Sequence, residues 1–190
     1  MTMIRPALTL IGLMTLLTGL AYPLAMTGLA TALVPEKAAA SLILRDGQPV
    51  GSTLVGQGFT AAAYLHPRPS AVDYDAAAGA GTNLGPTSDT LRQAVADHRA
   101  VWEAEKGTPA PMDALTASAS GLDPDISLAN ARGQARRIAE ARGVPLAEVL
   151  AVLAAHEQPP LWGLYGTHRV NVLAANLALD AAHPMAPAAP

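Results

Sequence analysis

No charged residue falls between Ala7 and Val34, and only after that run does the chain break into short alternations and helical stripes. As a helix, the run is about 42 Å long at 1.5 Å per residue. The hydrocarbon core of a bilayer is about 30 Å thick, so such a helix spans it with tilt or a kink. Pro23 is the expected kink, because it lacks a backbone donor and crowds the preceding turn. A secretory signal is the alternative, and Ala30-Thr31-Ala32 would satisfy a small-residue cleavage rule. Its apolar region, however, is normally about 7–15 residues, much shorter than this one.

Beyond Pro35 the periodicity changes. Ser41–Arg45 and Val50–Val55 read as two strands, with Asp46-Gly47 as the turn and Gln48-Pro49 lengthening it. Gly56–Thr87 is rich in Gly, Pro, Ser and Asn and is long for a structureless connection, so it is expected to carry short elements or to bind something. Leu91, Ala94, Val95, His98, Val101 and Trp102 form one stripe of a helix over Asp89–Lys106, capped by Ser88 and stopped by Gly107 and Pro109. A second helix, Leu128–Arg142, starts at Ser127 and ends at Gly143, with Leu128, Ala131, Ala135, Ile138 and Ala139 on its apolar face. Pro145 opens a third helix, to about His156, which turns Leu146, Val149, Leu150 and Leu153 inward. After Pro159-Pro160 comes a last helix over Asn171–Asp180. The Ala/Pro-rich stretch 181–190 reads as a disordered tail. The pattern is α+β: a short N-terminal segment (1–6), one transmembrane helix (7–34), one mixed globular domain (35–180) and the tail.

Composition sharpens this picture at three points. The chain has 190 residues and a formal charge of -3, so no basic excess points to nucleic acid. Arg132, Arg136, Arg137 and Arg142 are diluted by Glu140 and read as a solvated helix face. There is no cysteine, which removes disulfides, thiolate metal sites and cysteine nucleophiles. At the two ends of the span, Arg5 stands against a cancelling Glu36 and Lys37. Positive-inside logic therefore places the amino terminus in the cytoplasm and the globular domain outside.

Candidate chemistry is sparse. The five histidines, His66, His98, His156, His168 and His183, form no pair at metal-ligand spacing, and His98 sits on an apolar stripe. Neither a phosphate-binding Gly-x-x-x-x-Gly-Lys run nor a Gly-x-Ser-x-Gly elbow occurs. Leu115–Asp125 is the most unusual stretch. Its small residues permit close backbone approach, and Thr116, Ser118 and Ser120 offer hydroxyls. Thr116, Ser118, Ser120, Gly121 and Asp123 are thus the candidate anion- or partner-binding loop. The bland alternative is a packed turn whose hydroxyls satisfy local backbone groups. Asp123 and Asp125 alone are too few for a cation site. Tyr64–Ser70, stiffened by Pro67 and Pro69, reads as a structural surface segment or a docking element. Within the membrane run, Thr15/Gly19, Ala21/Ala25 and Gly28/Ala32 are small pairs at four-residue spacing. Gly12, Thr15 and Gly19 lie on nearly one face and form the candidate interface with another helix.

These runs resemble a known family, the C subunit of the Kdp-type high-affinity potassium-transporting P-type ATPase. The likeness extends from Arg5-Pro6 to Asp180. It includes Arg5-Pro6-Ala7, Thr18-Gly19 with Tyr22-Pro23-Leu24, Leu54-Val55-Gly56-Gln57 with Phe59, Arg68-Pro69-Ser70-Ala71 and Thr82-Asn83-Leu84. Its most specific part is Leu115–Pro124, followed by Val170-Asn171-Val172-Leu173 and Asn176–Asp180. Leu65 stands where the family tends to have Phe, and Gly79-Ala80-Gly81-Thr82-Asn83 replaces a Ser-Gly-Gly-Ser-Asn-like run.

The resemblance implies a non-catalytic accessory subunit without a cofactor or metal of its own. Its partners would be a potassium-conducting subunit and an ATP-hydrolysing subunit, which handle potassium and ATP, together with the lipid bilayer. It further implies a role in assembly and, as a catalytic chaperone, in raising the ATP affinity of the hydrolytic subunit, which makes the loop of Thr116, Ser118, Ser120, Gly121 and Asp123 a candidate ATP or partner contact. The chain lacks an Asp-Lys-Thr-Gly phosphorylation run and a Thr-Val-Gly-Tyr-Gly filter, as such a subunit should. An external domain conflicts with direct contact to cytosolic ATP, which leaves indirect conformational coupling. The competing readings are a membrane-anchored extracytoplasmic hydrolase using Ser118 or Ser120, and a tethered binding module.

Overall fold

The computed structural model describes residues 3–45 and 47–185. It divides into two compact units, Met1–Val50 and Gly51–Pro190, each taken here by itself.

The first unit is dominated by one continuous apolar helix, Ile4–Leu33, of mean hydropathy 1.7 and with none of its span buried. It consists of α1 (Ile4–Leu16), a π turn (Leu17–Ala21) and α2 (Tyr22–Leu33). Ile4, Arg5 and Pro6, expected to precede the helix, are its first residues. In the π turn the Tyr22 N–H reaches back five residues to the Leu17 carbonyl. Pro23 follows immediately, so the break in the α ladder is taken up just before the residue that cannot donate. The hydroxyls of Thr9, Thr18 and Thr31 donate to the carbonyls of Arg5, Met14 and Thr27, four residues earlier. Each hydroxyl thus satisfies itself on its own helix, as a hydrocarbon solvent demands. A short α3 (Pro35–Ala38) follows, then a two-stranded sheet of β1 (Leu42–Arg45) and β2 (Gln48–Ser52). Asp46, in the expected turn, lies outside the described residues, while Gly47 takes the left-handed φ of 76° that such a turn requires. β2 begins two residues earlier than expected and stops at Ser52, because the Ser52 hydroxyl accepts the Leu54 N–H and bends the chain away.

The second unit contains α4 (Asp89–Lys106), α5 (Met112–Leu115), β3 (Asp125–Ser127), α6 (Leu128–Arg142), α7 (Leu146–Ala155), β4 (Glu157–Gln158), β5 (Arg169–Asn171) and α8 (Val172–Ala182). Three helices carry the same starting device: Ser88, Ser127 and Asn171 accept the N–H of Leu91, Asn130 and Ala174. Gly107 and Gly143 end α4 and α6 at φ of 62° and 65°. Pro145 is not the first helical residue, as expected, but the extended cap before it, with ψ 138°. α8 runs two residues past Asp180, so the stretch expected to be disordered begins helically; residues 186–190 lie outside the described part.

β5 is the middle strand of an antiparallel sheet, ordered β3-β5-β4, with Ile126 opposite Val170 and Val170 opposite Glu157. Ile126 and Val170 enter a core with Ala131, Ala135 and Ile138 of α6, Val149 and Leu153 of α7, and Ala175 and Leu179 of α8. The alanines on α6 leave room for α7 to pack closely against it, and α8 packs in turn on α7 and β5.

Gly56–Thr87 forms turns but no helix or strand. Leu65, expected on a surface segment, is fully buried in the core. Side-chain amides order this segment in place of a neighbouring strand. Asn176 accepts from Leu65 N at 2.7 Å and donates to Leu65 O at 3.1 Å. Gln134 does the same for His66, at 2.8 and 3.0 Å. Two buried amides therefore satisfy two consecutive backbone units that would otherwise be costly to bury.

Candidate partner-binding loop and adjoining cleft

The candidate loop runs from the end of α5 to β3 and lies against residues 56–81. Arg68 is the central tie. Its Nη1 donates to Asp123 Oδ2 at 2.9 Å, and its Nη2 reaches the carbonyls of Thr116 and Ala117. Pro67 and Pro69 fix the backbone on either side of this guanidinium, and the Tyr74 hydroxyl holds the Arg68 carbonyl at 2.7 Å. Ser70 Oγ donates to Gly121 O and accepts the N–H of Val72 and Tyr74, so one hydroxyl joins the two segments. Gly121 is in the left-handed region at φ 67°, and a Cβ there would stand 2.9 Å from Ala80 O. A Cβ on Gly56 would meet Asp123 O at 2.7 Å.

The five candidate residues are thereby brought into one loop with separate duties. Thr116 Oγ1 donates to Met112 O, and Ser120 Oγ accepts from Leu122 N. Ser118 is buried at 6% exposure. Asp123 is paired with Arg68. Ala119 and Ser120 form the exposed tip. Asp125 turns away to Arg169 and Asn171. The histidines bond elsewhere: His66 to Ala61 O, His98 to Leu115 O, His156 to Val152 O, and His168 and His183 to Glu157 and Glu148. Neither serine of the hydrolase reading is therefore joined to a histidine base. Among the described residues, no group of three or more His, Asp or Glu side chains could hold a metal ion.

Beside the loop lies a cleft of about 300 Å³, between α4 and the extended Pro67–Pro69 segment. His66, His98, Trp102, Glu105 and Lys106 line it, with Asn130 and Gln134 of α6. His98 Nδ1 carries a proton, because its partner, Leu115 O, only accepts. Burial pushes the His66 imidazole below its ordinary value, and the neighbouring Arg137 guanidinium pushes the same way. The hydrogen bond from Lys106 holds the Glu105 carboxyl below its usual range, and the same ammonium lies 4.7 Å from the Trp102 ring centroid. Trp102 Nε1 is buried without a hydrogen-bond partner. Sequence reading placed His98 and Trp102 on one stripe but did not bring His66 to them. That juxtaposition depends on Gln134, whose amide gives no periodic signal.

In the membrane helix, Gly12, Thr15 and Gly19 are all exposed, and an added Cβ on Gly12 would meet nothing within 4 Å. A Cβ on Gly19 would lie 3.9 Å from Thr15 Cγ2, so these two still stack across the start of the π turn.

Comparison with known proteins closes the question of kinship. Residues 4–181 match the family described as KdpC, the K+-transporting ATPase c chain. A potassium-transporting ATPase KdpC subunit from Cereibacter sphaeroides is 59% identical over 182 residues, covering 96% of this chain and 98% of its own. Those from Caulobacter vibrioides and Variovorax paradoxus are 54% and 53% identical, each over at least 94% of both chains. From its apolar N-terminal helix to α8, the chain belongs to the KdpC family of potassium-transporting ATPase subunits.

Proposed function

We propose that this chain is a non-catalytic accessory subunit of an ATP-driven potassium uptake pump, needed for its assembly. The family match over residues 4–181 carries this reading, because it takes in the membrane helix as well as the globular unit. The partners are the potassium-conducting and ATP-hydrolysing subunits. The helix Ile4–Leu33 anchors the chain in the cell membrane, and its face of Gly12, Thr15 and Gly19 packs against a helix of a large subunit. The globular unit lies outside the cytoplasm in this reading, which Arg5 against the cancelling charges of Glu36 and Lys37 supports. The loop of Thr116, Ser118, Ser120, Gly121 and Asp123 faces a partner through its exposed Ala119-Ser120 tip. An increase in ATP affinity of the hydrolytic subunit then passes through the conformation of the complex rather than through nucleotide bound to this chain.

The test is copurification of the tagged full chain from membranes in mild detergent. Two larger polypeptides should accompany it, with potassium-stimulated ATP hydrolysis in the complex and none in the chain alone. Gly19→Leu should still insert but recover less of the large subunits, since the leucine holds the helix backbones apart. A chain that elutes alone from membranes containing both partners, or that hydrolyses ATP by itself, defeats the reading.

A further inference from the structure

Between β4 and β5 the chain makes an excursion, residues 159–167, with no charged side chain in it. Its tip is apolar and bare: Trp162 is 81% exposed, Leu164 80%, and Leu161 and Tyr165 are exposed beside them. Such residues occur singly on most surfaces, but four at one loop tip form a patch.

The loop is nonetheless built. Leu161 N donates to Tyr165 O at 2.8 Å, and Tyr165 N returns to Leu161 O at 3.1 Å. Gly163 N closes on Pro160 O at 3.0 Å. Trp162 and Tyr165 meet edge to face, with ring centroids 6.3 Å apart. Most telling is the backbone: Trp162 has φ 54°, the left-handed region that a bulky side chain avoids. Asn or Gly would hold this turn without strain. A tryptophan kept there, with most of its surface in water, gains little from its own domain. Backbone strain of this kind persists where function uses it.

The flanking charges decide between a lipid surface and a protein. Anionic headgroups call for unpaired cations at the base of an inserted loop. Here the two basic neighbours are engaged, His168 with Glu157 and Arg169 with Asp125 at 2.8 Å. What remains is a rigid, uncharged, aromatic-centred knob, the composition of a protein–protein hot spot. Resting on the subunit reading above, we propose that Leu161–Tyr165 is a docking knob that seats Trp162 in an apolar, uncharged socket on a large subunit of the pump. Leu161 and Leu164 pack at its sides, and the socket supplies an acceptor for the indole N–H. The strain at Trp162 pre-sets the ring, so little side-chain freedom is lost on docking.

The experiment uses the full chain expressed with both large subunits. Trp162→Asn should leave the thermal midpoint of the free chain unchanged or raised, since Asn tolerates this φ. It should also reduce recovery of the large subunits after a detergent wash by about tenfold. Trp162→Phe should keep most of the recovery, and Met112→Ser, at an exposed apolar residue elsewhere, all of it. In a Trp102→Phe background, Trp162 fluorescence should shift to the blue in the complex relative to the free chain. If the wild-type chain recovers no large subunit, the subunit reading fails, and the knob with it. If the wild type recovers them and Trp162→Asn recovers them equally, the knob alone is wrong. Equal recovery, with Trp162 of the Trp102→Phe chain quenched by brominated lipids in otherwise protein-free vesicles, would identify a lipid contact and likewise overturn the proposal.

Discussion

Trp102 of α4 lies against the bare backbone of Gly133 in α6: a Cβ on that glycine would stand 2.5 Å from Trp102 Cζ2 and 2.9 Å from Cη2. The indole thus occupies the space a side chain would have taken, and the α4–α6 contact depends on glycine inside a helix. Glycine there gives up about 1 kcal/mol of helix propensity relative to alanine. Close approach of the ring is what offsets that loss.

Gly133→Ala should therefore destabilise despite the better propensity of alanine. Overpacking costs about 1–3 kcal/mol, so a net loss of about 1 kcal/mol is expected. Urea unfolding of the full chain in detergent, followed by fluorescence, measures it. The double variant Gly133→Ala/Trp102→Phe should recover part of the loss, because the smaller ring makes room. Strictly additive effects would mean that the two residues do not share the space.

Arg142 ties three parts of the second unit together. Its side chain, expected on a solvated helix face, is instead 1% exposed and donates to Ala63 O at 2.8 Å, His183 O at 3.0 Å and Asp180 Oδ1 at 3.0 Å. Its guanidinium also lies 5.0 Å from the Tyr64 ring centroid. Arg142→Met leaves those acceptors unmatched and should cost about 3–5 kcal/mol. Arg142→Lys should rescue little, since an ammonium cannot reproduce the planar fork. A loss under about 1 kcal/mol in the same unfolding assay would show that this hub contributes no more than a surface ion pair.

His66 predicts a pH dependence. Its folded-state value is lowered, chiefly by burial and then by Arg137 and Lys106, with the hydrogen bond to the Ala61 carbonyl and, more weakly, Glu105 opposing. The unfolded value is about 6.5. As pH falls through that value, the unfolded chain binds the proton first, so stability drops. The loss stops growing once the pH is below the folded value and both states are charged. The stability of the wild type should thus decline as the pH falls through about 6.5, and His66→Gln should flatten that slope. An NMR titration placing His66 at or above the unfolded value would refute the sign.

The sequence made visible whatever rests on local chemistry. Ser88, Ser127, Gly107 and Gly143 bounded α4 and α6 correctly because capping is decided by the residues that form the cap. The apolar helix followed from length alone. The short strands β3, β4 and β5 stayed hidden, since two or three residues show no alternation and pairing across 44 positions leaves no local trace, as for Ile126 and Val170. The path of Gly56–Thr87 was equally illegible, because Asn176 and Gln134 set it from distant helices. The candidate loop was picked out by its small residues, whereas nothing local tied it to Arg68, which lies 55 positions before its partner Asp123 in the proline-stiffened Tyr64–Ser70 segment.

The π turn at Leu17–Ala21 also makes the anchor a vernier. A π turn holds one residue more than a plain α ladder needs. Its five residues turn through nearly the same angle as four of an α ladder, so removing one residue there would restore the four-residue bonds and leave Ile4–Leu16 and Tyr22–Leu33 facing almost as before. What slips is the sequence: beyond the turn, each position stands one place later than an unbroken ladder would put it on the same face. A one-residue deletion inside the turn is therefore one the anchor absorbs, whereas the same deletion in an unbroken α ladder would swing everything beyond it by about 100°.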